Sequence, residues 1–178
     1  MLLCQACSQE NPAVARFCLA CGAPLADESL PRDERRIVTV IFVDLVGFTA
    51  RSEQLDPEEV RAVLTPYHER VRREIESFGG IVEKFIGDAV MGIFGAPLAH
   101  GDDAERAVRA ALVVRDGVGG FTDAELQIRI AVNTGEAVVS LGARPALGES
   151  MVAGDVVNTA SRLQAAAPVN AIVVGEQT

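Results

Sequence analysis

An α+β sandwich, a sheet with helices laid on one face, is the fold that the sequence predicts for residues 36–178, and three observations predict it. Apolar β-branched runs alternate with segments whose apolar residues recur at helical spacing, so strands and helices are mixed along the chain. Two short runs, 81–86 and 89–94, are separated only by Gly87-Asp88, a hairpin signal that brings antiparallel pairing. The chain has 178 residues, 49% of them hydrophobic and 23% charged, enough for one sizeable core and a small appendage.

The appendage comes first. All four cysteines lie within the first 21 residues, as two Cys-x-x-Cys pairs, Cys4/Cys7 and Cys18/Cys21, with ten residues between them. Four thiolates in that format close a tetrahedral shell around one zinc ion. Paired disulfides and redox thiols are the alternatives. Disulfides need an oxidising compartment, and no secretory signal opens the chain. A redox pair usually accompanies a thioredoxin-like unit, for which this segment is too short. Residues 1–25 are therefore expected to be a zinc ribbon, whose folding free energy comes mostly from one structural Zn2+. Residues 26–35 hold Pro31 and mixed charge without periodicity, which reads as a linker.

In the larger domain, Ile37–Val46 is apolar almost without interruption, as in a strand buried on both faces. Asp56-Pro57-Glu58-Glu59 is a helix start, with a capping Asp, proline in the first turn and acids suited to the dipole. Val60, Val63, Leu64, Tyr67, Val71, Ile75 and Phe78 mark its buried face; Pro66 is expected to kink it and Gly79-Gly80 to stop it. After the hairpin, Asp102-Asp103 opens a second helix, with Ala104, Val108, Ala111, Leu112 and Val114 or the stem of Arg115 facing inward. Leu126–Val132 reads as a strand, with Ala137-Val138-Val139 as its partner. Residues 148–155 read as loop, Val156–Ala166 as a helix and Ala171–Val174 as a last strand.

Bulk properties exclude several functions. The net charge of −9 and the 4% aromatic content, with no Trp, argue against a nucleic-acid surface, which needs a basic footprint or stacking platforms. No run approaches the ~18 apolar residues of a membrane span. With no secretory signal either, a cytoplasmic location is expected.

The chemistry concentrates in three motifs. Phe42-Val43-Asp44-Leu45-Val46-Gly47-Phe48-Thr49 places a carboxylate at the end of an apolar run, beside a glycine. Glu83-Lys84-Phe85-Ile86-Gly87-Asp88 does the same some forty residues later. Alone, either aspartate is ordinary turn chemistry; together they make a site for two divalent cations, the equipment of phosphoryl transfer. The third motif runs Gly154-Asp155-Val156-Val157-Asn158-Thr159-Ala160-Ser161-Arg162-Leu163, with Asn158 and Arg162 four apart on one helix face. His68 and His100 are isolated and are read as solvated helix or loop positions.

In this order and context, residues 36–178 resemble the catalytic domain of the class III nucleotide cyclases. The resemblance implies a ferredoxin-like sandwich, and a reaction turning a nucleoside triphosphate into a 3′,5′-cyclic monophosphate and pyrophosphate. It implies a head-to-tail homodimer whose sites draw on both copies. Asp44 and Asp88, with the Leu45 carbonyl, would hold two Mg2+ or Mn2+ ions. The backbone amides of Gly47, Phe48 and Thr49 would meet phosphate oxygens, and Arg129 in its strand would reach the triphosphate, a weaker match for which a cross-strand salt bridge is the alternative. Asn158 would position the ribose and Arg162 would stabilise the α-phosphate, unless Asn158 is a helix cap and Arg162 a surface ion-pair partner. Lys84 falls where adenylyl cyclases read adenine N1, which favours ATP, although GTP stays open because the second base-reading position holds Met151, a poor polar partner; a solvated lysine is the alternative.

The chain reaches Thr178 before the further helix and hairpin of that fold, so a C-terminally incomplete domain is expected, either a fragment of a longer protein that can continue into downstream domains or a truncated one. The competing functional reading is a weak or inactive cyclase-like domain that binds nucleotide and regulates. A diguanylate cyclase is excluded, because its Gly-Gly-Asp/Glu-Glu-Phe signature does not occur.

Overall fold

The computed structural model describes residues 2–4, 6–12, 15–23, 25, 33–118 and 126–178. The chain divides into two compact units, Met1–Arg32 and Asp33–Thr178. Among the described residues no helix is long and apolar enough to cross a membrane.

The first unit is built on its cysteines. Two short strands, β1 (Leu2–Leu3) and β2 (Glu10–Asn11), pair antiparallel. The residue after each second cysteine, Ser8 (φ 57) and Gly22 (φ 71), takes the left-handed conformation that turns the chain back. Backbone bonds from Ser8 N to Cys4 O (2.8 Å) and from Gly22 N to Cys18 O (2.9 Å) close both turns.

The second unit starts at β3 (Asp33–Leu45), so Asp33, Glu34 and Arg35 belong to a strand and not to the expected linker. Its partner β6 (Ile128–Ser140) is long enough to pair them, Asp33 opposite Ser140, while their charged side chains stay at the surface. The rest of that linker, 26–32, lies outside the described residues.

A short helix α1 (Phe48–Ser52) leads to α2 (Pro57–Ser77), where the Asp56 backbone N–H donates to the Glu59 carboxylate at 3.0 Å. Pro66 lies inside α2 without ending it. The helix stops where Gly79 adopts φ 86 and Gly80 N bonds back to Ile75 O at 3.0 Å. The hairpin β4 (Ile81–Ile86) and β5 (Ala89–Phe94) follows, then α3 (Asp103–Val118), β6, β7 (Val152–Ala153), α4 (Asp155–Ala166) and β8 (Ile172–Val174). The sheet runs β4-β5-β3-β6-β7, with β8 parallel on β6 and the other pairs antiparallel. The run β3-α2-β4-β5-α3-β6 in that order is a ferredoxin-like arrangement.

Three expectations need correction. Ala137-Val138-Val139 is not a separate strand, because it continues β6. Asn133-Thr134-Gly135, between the two expected strands, pairs straight across to Val40, Thr39 and Val38. Helices cover both faces of the sheet. Ile41, Val43 and Leu45 meet α2 and α3 in one apolar cluster, whereas Val38, Val40 and Phe42 meet Val156 and Ala160 of α4 in another. A strand apolar on both faces needs cover on both. On α3 the buried stripe is Ala107, Ala110, Ala111, Val114 and Val118, and Leu112 is 39% exposed. That stripe is mostly alanine, whose small side chains let a helix approach its sheet closely.

Gly92 of β5 marks where α2 presses on the sheet: a Cβ there would meet Ile75 Cδ1 at 2.8 Å and Ile41 Cγ2 at 2.9 Å. Gly92→Ala is expected to lower stability by about 1–3 kcal/mol in urea titrations. Adding Ile75→Val should recover part of that loss, a coupling that a double-mutant cycle measures directly.

Candidate active site

The acidic pair is assembled by two neighbouring strands. Asp44 is the penultimate residue of β3, on the face that looks toward α4. The last β3–β5 register pair is Val43 with Val90, so Asp88, two residues before Val90 at the hairpin tip, lies level with the end of β3. Gly87 (φ 62) and Gly47 (φ 71) make the two turns that bring these backbones together, and open space surrounds both.

The surroundings of the pair are anionic and half-buried. The Asp44 carboxyl is held above the ordinary carboxylate range, first by burial, then by the charge of Asp88 and a hydrogen bond with it. Gln164 of α4, whose Nε2 donates to Asp44 Oδ2 at 3.0 Å, offsets part of this. So does Arg129, directly opposite Asp44 in the β3–β6 ladder. Thr49 Oγ1 donates to Asp88 Oδ1 at 3.4 Å. The Tyr67 hydroxyl is buried without a partner, and burial, then the charges of Asp44 and Asp88, push its phenol well up. Two crowded carboxylates at glycine turns fit a hard divalent cation, which would relieve the repulsion that holds Asp44 up.

Phe48 and Leu45 are 4% and 3% exposed, with side chains in the first apolar cluster. What they can offer a ligand is therefore backbone. Arg129 is partly buried and its Nε has no partner, which makes it the cation beside the acidic pair.

Lys84 stands apart on β4. Its Nζ donates to Ser150 Oγ at 3.2 Å and lies 3.7 Å from the buried Glu83 carboxylate, which burial pushes up against the pull of Lys84. Lys84 borders a cavity of about 560 Å3 between α2, β4 and the turn at 145–148. Met151, by contrast, is 5% exposed and packs in the second apolar cluster, so its side chain is core rather than site wall.

Asn158 and Arg162 form a third group on the exposed side of α4. Arg162 Nη2 donates to Thr159 Oγ1 at 3.1 Å and lies 3.5 Å from Asp155 Oδ1. Among the described residues no hydrogen bond or ion pair joins Asp44 or Asp88 to Lys84, Asn158 or Arg162. A second hollow, about 430 Å3, is lined by Glu136, Asp155 and Glu176 and takes in none of the predicted residues.

His68 departs from the solvated reading. It is half-buried, its ring stacks on Phe85 with centroids 4.4 Å apart, and burial lowers its pKa. A polar residue on the core-facing side of an amphipathic helix was the available signal. Gln164 and Ser150 carried none, because single amides and hydroxyls are common on any surface.

In the N-terminal unit the four Sγ atoms lie within 4.8 Å of one another, with Cys4–Cys21 and Cys7–Cys18 each at 3.6 Å. A tetrahedral shell of ~2.3 Å Zn–S bonds has ligand separations of ~3.8 Å. Backbone N–H groups of Cys21 and Ala20 pull the Cys18 thiol down to about 6. Against the pull of the Gln9 backbone, the neighbouring Cys21 and Cys18 push Cys7 up to about 12. A cation bound among thiols this crowded would stabilise their ionised forms.

Residues 30–178 match the family model described as the adenylate and guanylate cyclase catalytic domain. Adenylate cyclase 1 of Rhizobium meliloti is 38% identical over 138 residues, 73% of this chain but 21% of that protein. The chain thus spans about a fifth of that relative's length. The crystal structure of the adenylyl cyclase CyaB from P. aeruginosa superposes with a TM-score of 0.72 at 32% identity, covering 82% of this chain and 80% of that one. The guanylate cyclase domain of RhGC from Catenaria anguillulae, solved in complex with GTP, gives 0.73 at 30% identity, with 80% of each chain covered. On the strength of the family match over residues 30–178, the chain belongs to the adenylate and guanylate cyclase catalytic domain family.

Proposed function

We propose that this domain is an adenylate cyclase, converting ATP to 3′,5′-cyclic AMP and pyrophosphate at two sites shared between the copies of a homodimer. The observation that carries the reading is the Asp44–Asp88 pair, two carboxylates brought together from the end of β3 and the tip of the β4–β5 hairpin, with Asp44 held above its ordinary range. Asp44, Asp88 and the Leu45 carbonyl would hold two Mg2+ or Mn2+ ions, which when bound neutralise triphosphate charge and acidify the ribose 3′-hydroxyl.

The chain's own residues do the rest. The Phe48 ring, anchored in the core, fixes the turn whose backbone amides at 47–49 receive phosphate oxygens. Arg129, with its partnerless Nε, adds positive charge beside the carboxylates. Arg162 offers a planar fork to the α-phosphate as its charge develops, and Asn158 one turn away orients the ribose. Both project from the exposed side of α4, where a second copy can use them. Among the described residues neither Asn158 nor Arg162 bonds to Asp44 or Asp88 of its own chain, which supports the shared-site reading. Lys84 donates to adenine N1. A structural Zn2+ on Cys4, Cys7, Cys18 and Cys21 would complete the N-terminal unit.

A second reading, a nucleotide-binding regulatory domain with weak or no turnover, is favoured by the withdrawal of Met151 into the core.

Asp44→Ala is expected to reduce cyclic AMP formation by at least 10³-fold while leaving the circular dichroism spectrum unchanged. Mixing Asp44→Ala with Arg162→Ala chains should restore part of the activity; a mixture as inactive as either parent would refute shared sites.

The raised pKa of Asp44 sets a pH dependence. A carboxyl raised in the folded state stabilises the fold below its unfolded value, and that contribution is lost as pH rises through the folded pKa. Metal-free Asp44→Asn should therefore melt above the wild type at pH 7, with the gap closing near pH 4. Mn2+ should raise the wild-type midpoint and leave the variant's unmoved.

Metal analysis of freshly purified protein should find about one zinc per chain. A chelator should melt residues 2–25 while the cyclase domain's far-ultraviolet signal persists.

A further inference from the structure

We infer that Ser150 is the second base-reading residue of the nucleotide site, its hydroxyl working beside Lys84 on the hydrogen-bonding edge of the purine. The inference rests on the ATP reading above and supplies the polar group that Met151 cannot. Successive residues of an extended segment point to opposite sides. At the entry to β7, Met151 bonds its carbonyl to Ser140 N at 2.8 Å and sends its side chain into the apolar cluster of Val38, Val40 and Phe42. Ser150, one residue earlier, is exposed and accepts from Lys84 Nζ at 3.2 Å.

The chemistry of the pair is complementary to adenine. An ammonium has three donors and no acceptor. One of those donors is spent on Ser150, and Glu83 at 3.7 Å balances the charge. A further N–H is left for the N1 acceptor of adenine. The Ser150 hydroxyl keeps a lone pair after accepting from Lys84, and that lone pair suits the adjacent exocyclic amino group. Guanine presents an N–H at position 1, against which an ammonium has nothing to offer. Lys84, though not Ser150, lines a neighbouring cavity of about 560 Å3 whose wall also holds Arg72, Glu76, Glu83 and Phe85, in the size range of small-molecule sites. Ser150 is also held in place: Arg144 donates to the Glu149 carboxylate from its backbone N at 2.8 Å and from Nη2 at 3.0 Å, closing the turn just before it.

The test is equilibrium binding of ATP and of GTP with Ca2+ in place of Mg2+, alongside cyclic-product assays with Mn2+. Ser150→Ala should weaken ATP about tenfold and GTP less than twofold, the loss of one well-placed hydrogen bond. Ser150→Thr, which keeps the hydroxyl, should retain the wild-type ratio, and so should Met151→Leu. An ATP-to-GTP ratio that Ser150→Ala leaves within twofold of wild type overturns the inference, as does a larger shift from Met151→Leu than from Ser150→Ala. If the wild type forms cyclic AMP and the ratio does not move, only the role of Ser150 fails. If it forms no cyclic product, the catalytic reading fails and the binding ratio still decides Ser150. A wild type that binds neither nucleotide overturns both.

Discussion

The thirteen-residue antiparallel ladder between β3 and β6 is the constraint on which the rest of this domain depends. Because β3 is apolar on both faces, each face must be covered, and the chain answers with α2 and α3 on one side and α4 on the other. The same ladder sets what stands beside what. It puts Arg129 across from Asp44, and the β3–β5 pairing brings the hairpin tip with Asp88 level with the end of β3. The candidate site is therefore a product of sheet register. A slip of one residue would turn Asp44 toward α2 and bury a carboxylate in the larger cluster.

The site departs from what would stabilise a metal-free fold. A half-buried carboxyl beside another carboxyl, an unpartnered tyrosine hydroxyl and a guanidinium Nε without an acceptor all gather at one end of the sheet. Elsewhere the buried polar groups of the ladder are matched, as where Thr39 and Thr134 share a hydrogen bond at 2.9 Å. Such local frustration is a common mark of functional sites. The N-terminal unit repeats this on a smaller scale, its four thiols crowded where a cation would stabilise their ionised forms.

Features that depend on local chemistry were legible in the sequence. The Asp56 cap, the Gly79-Gly80 stop and the Gly87-Asp88 hairpin each follow from conformations that those residues favour, and the structure has them in place. Asp44 and Asp88 could be paired because each closes an apolar run next to a glycine. Features set by tertiary context were not legible. The run Asn133-Thr134-Gly135 has turn chemistry and still lies flat, because β3 offers it an unbroken partner. Which stripe of α3 is buried depends on how closely it approaches the sheet, and periodicity does not encode distance. The position of Met151 followed from family spacing alone, whereas the direction of its side chain is decided by the pleat entering β7.

The amide of Gln164 that holds Asp44 sits two residues beyond Arg162 on α4. At 100° per residue the two side chains leave the helix on nearly opposite sides. One short rod thus holds Asp44 of its own chain with one side chain and carries a guanidinium on its exposed side with the other. Any rotation of α4 about its axis moves both side chains together, so the placement of the Arg162 guanidinium is mechanically geared to the seating of Asp44.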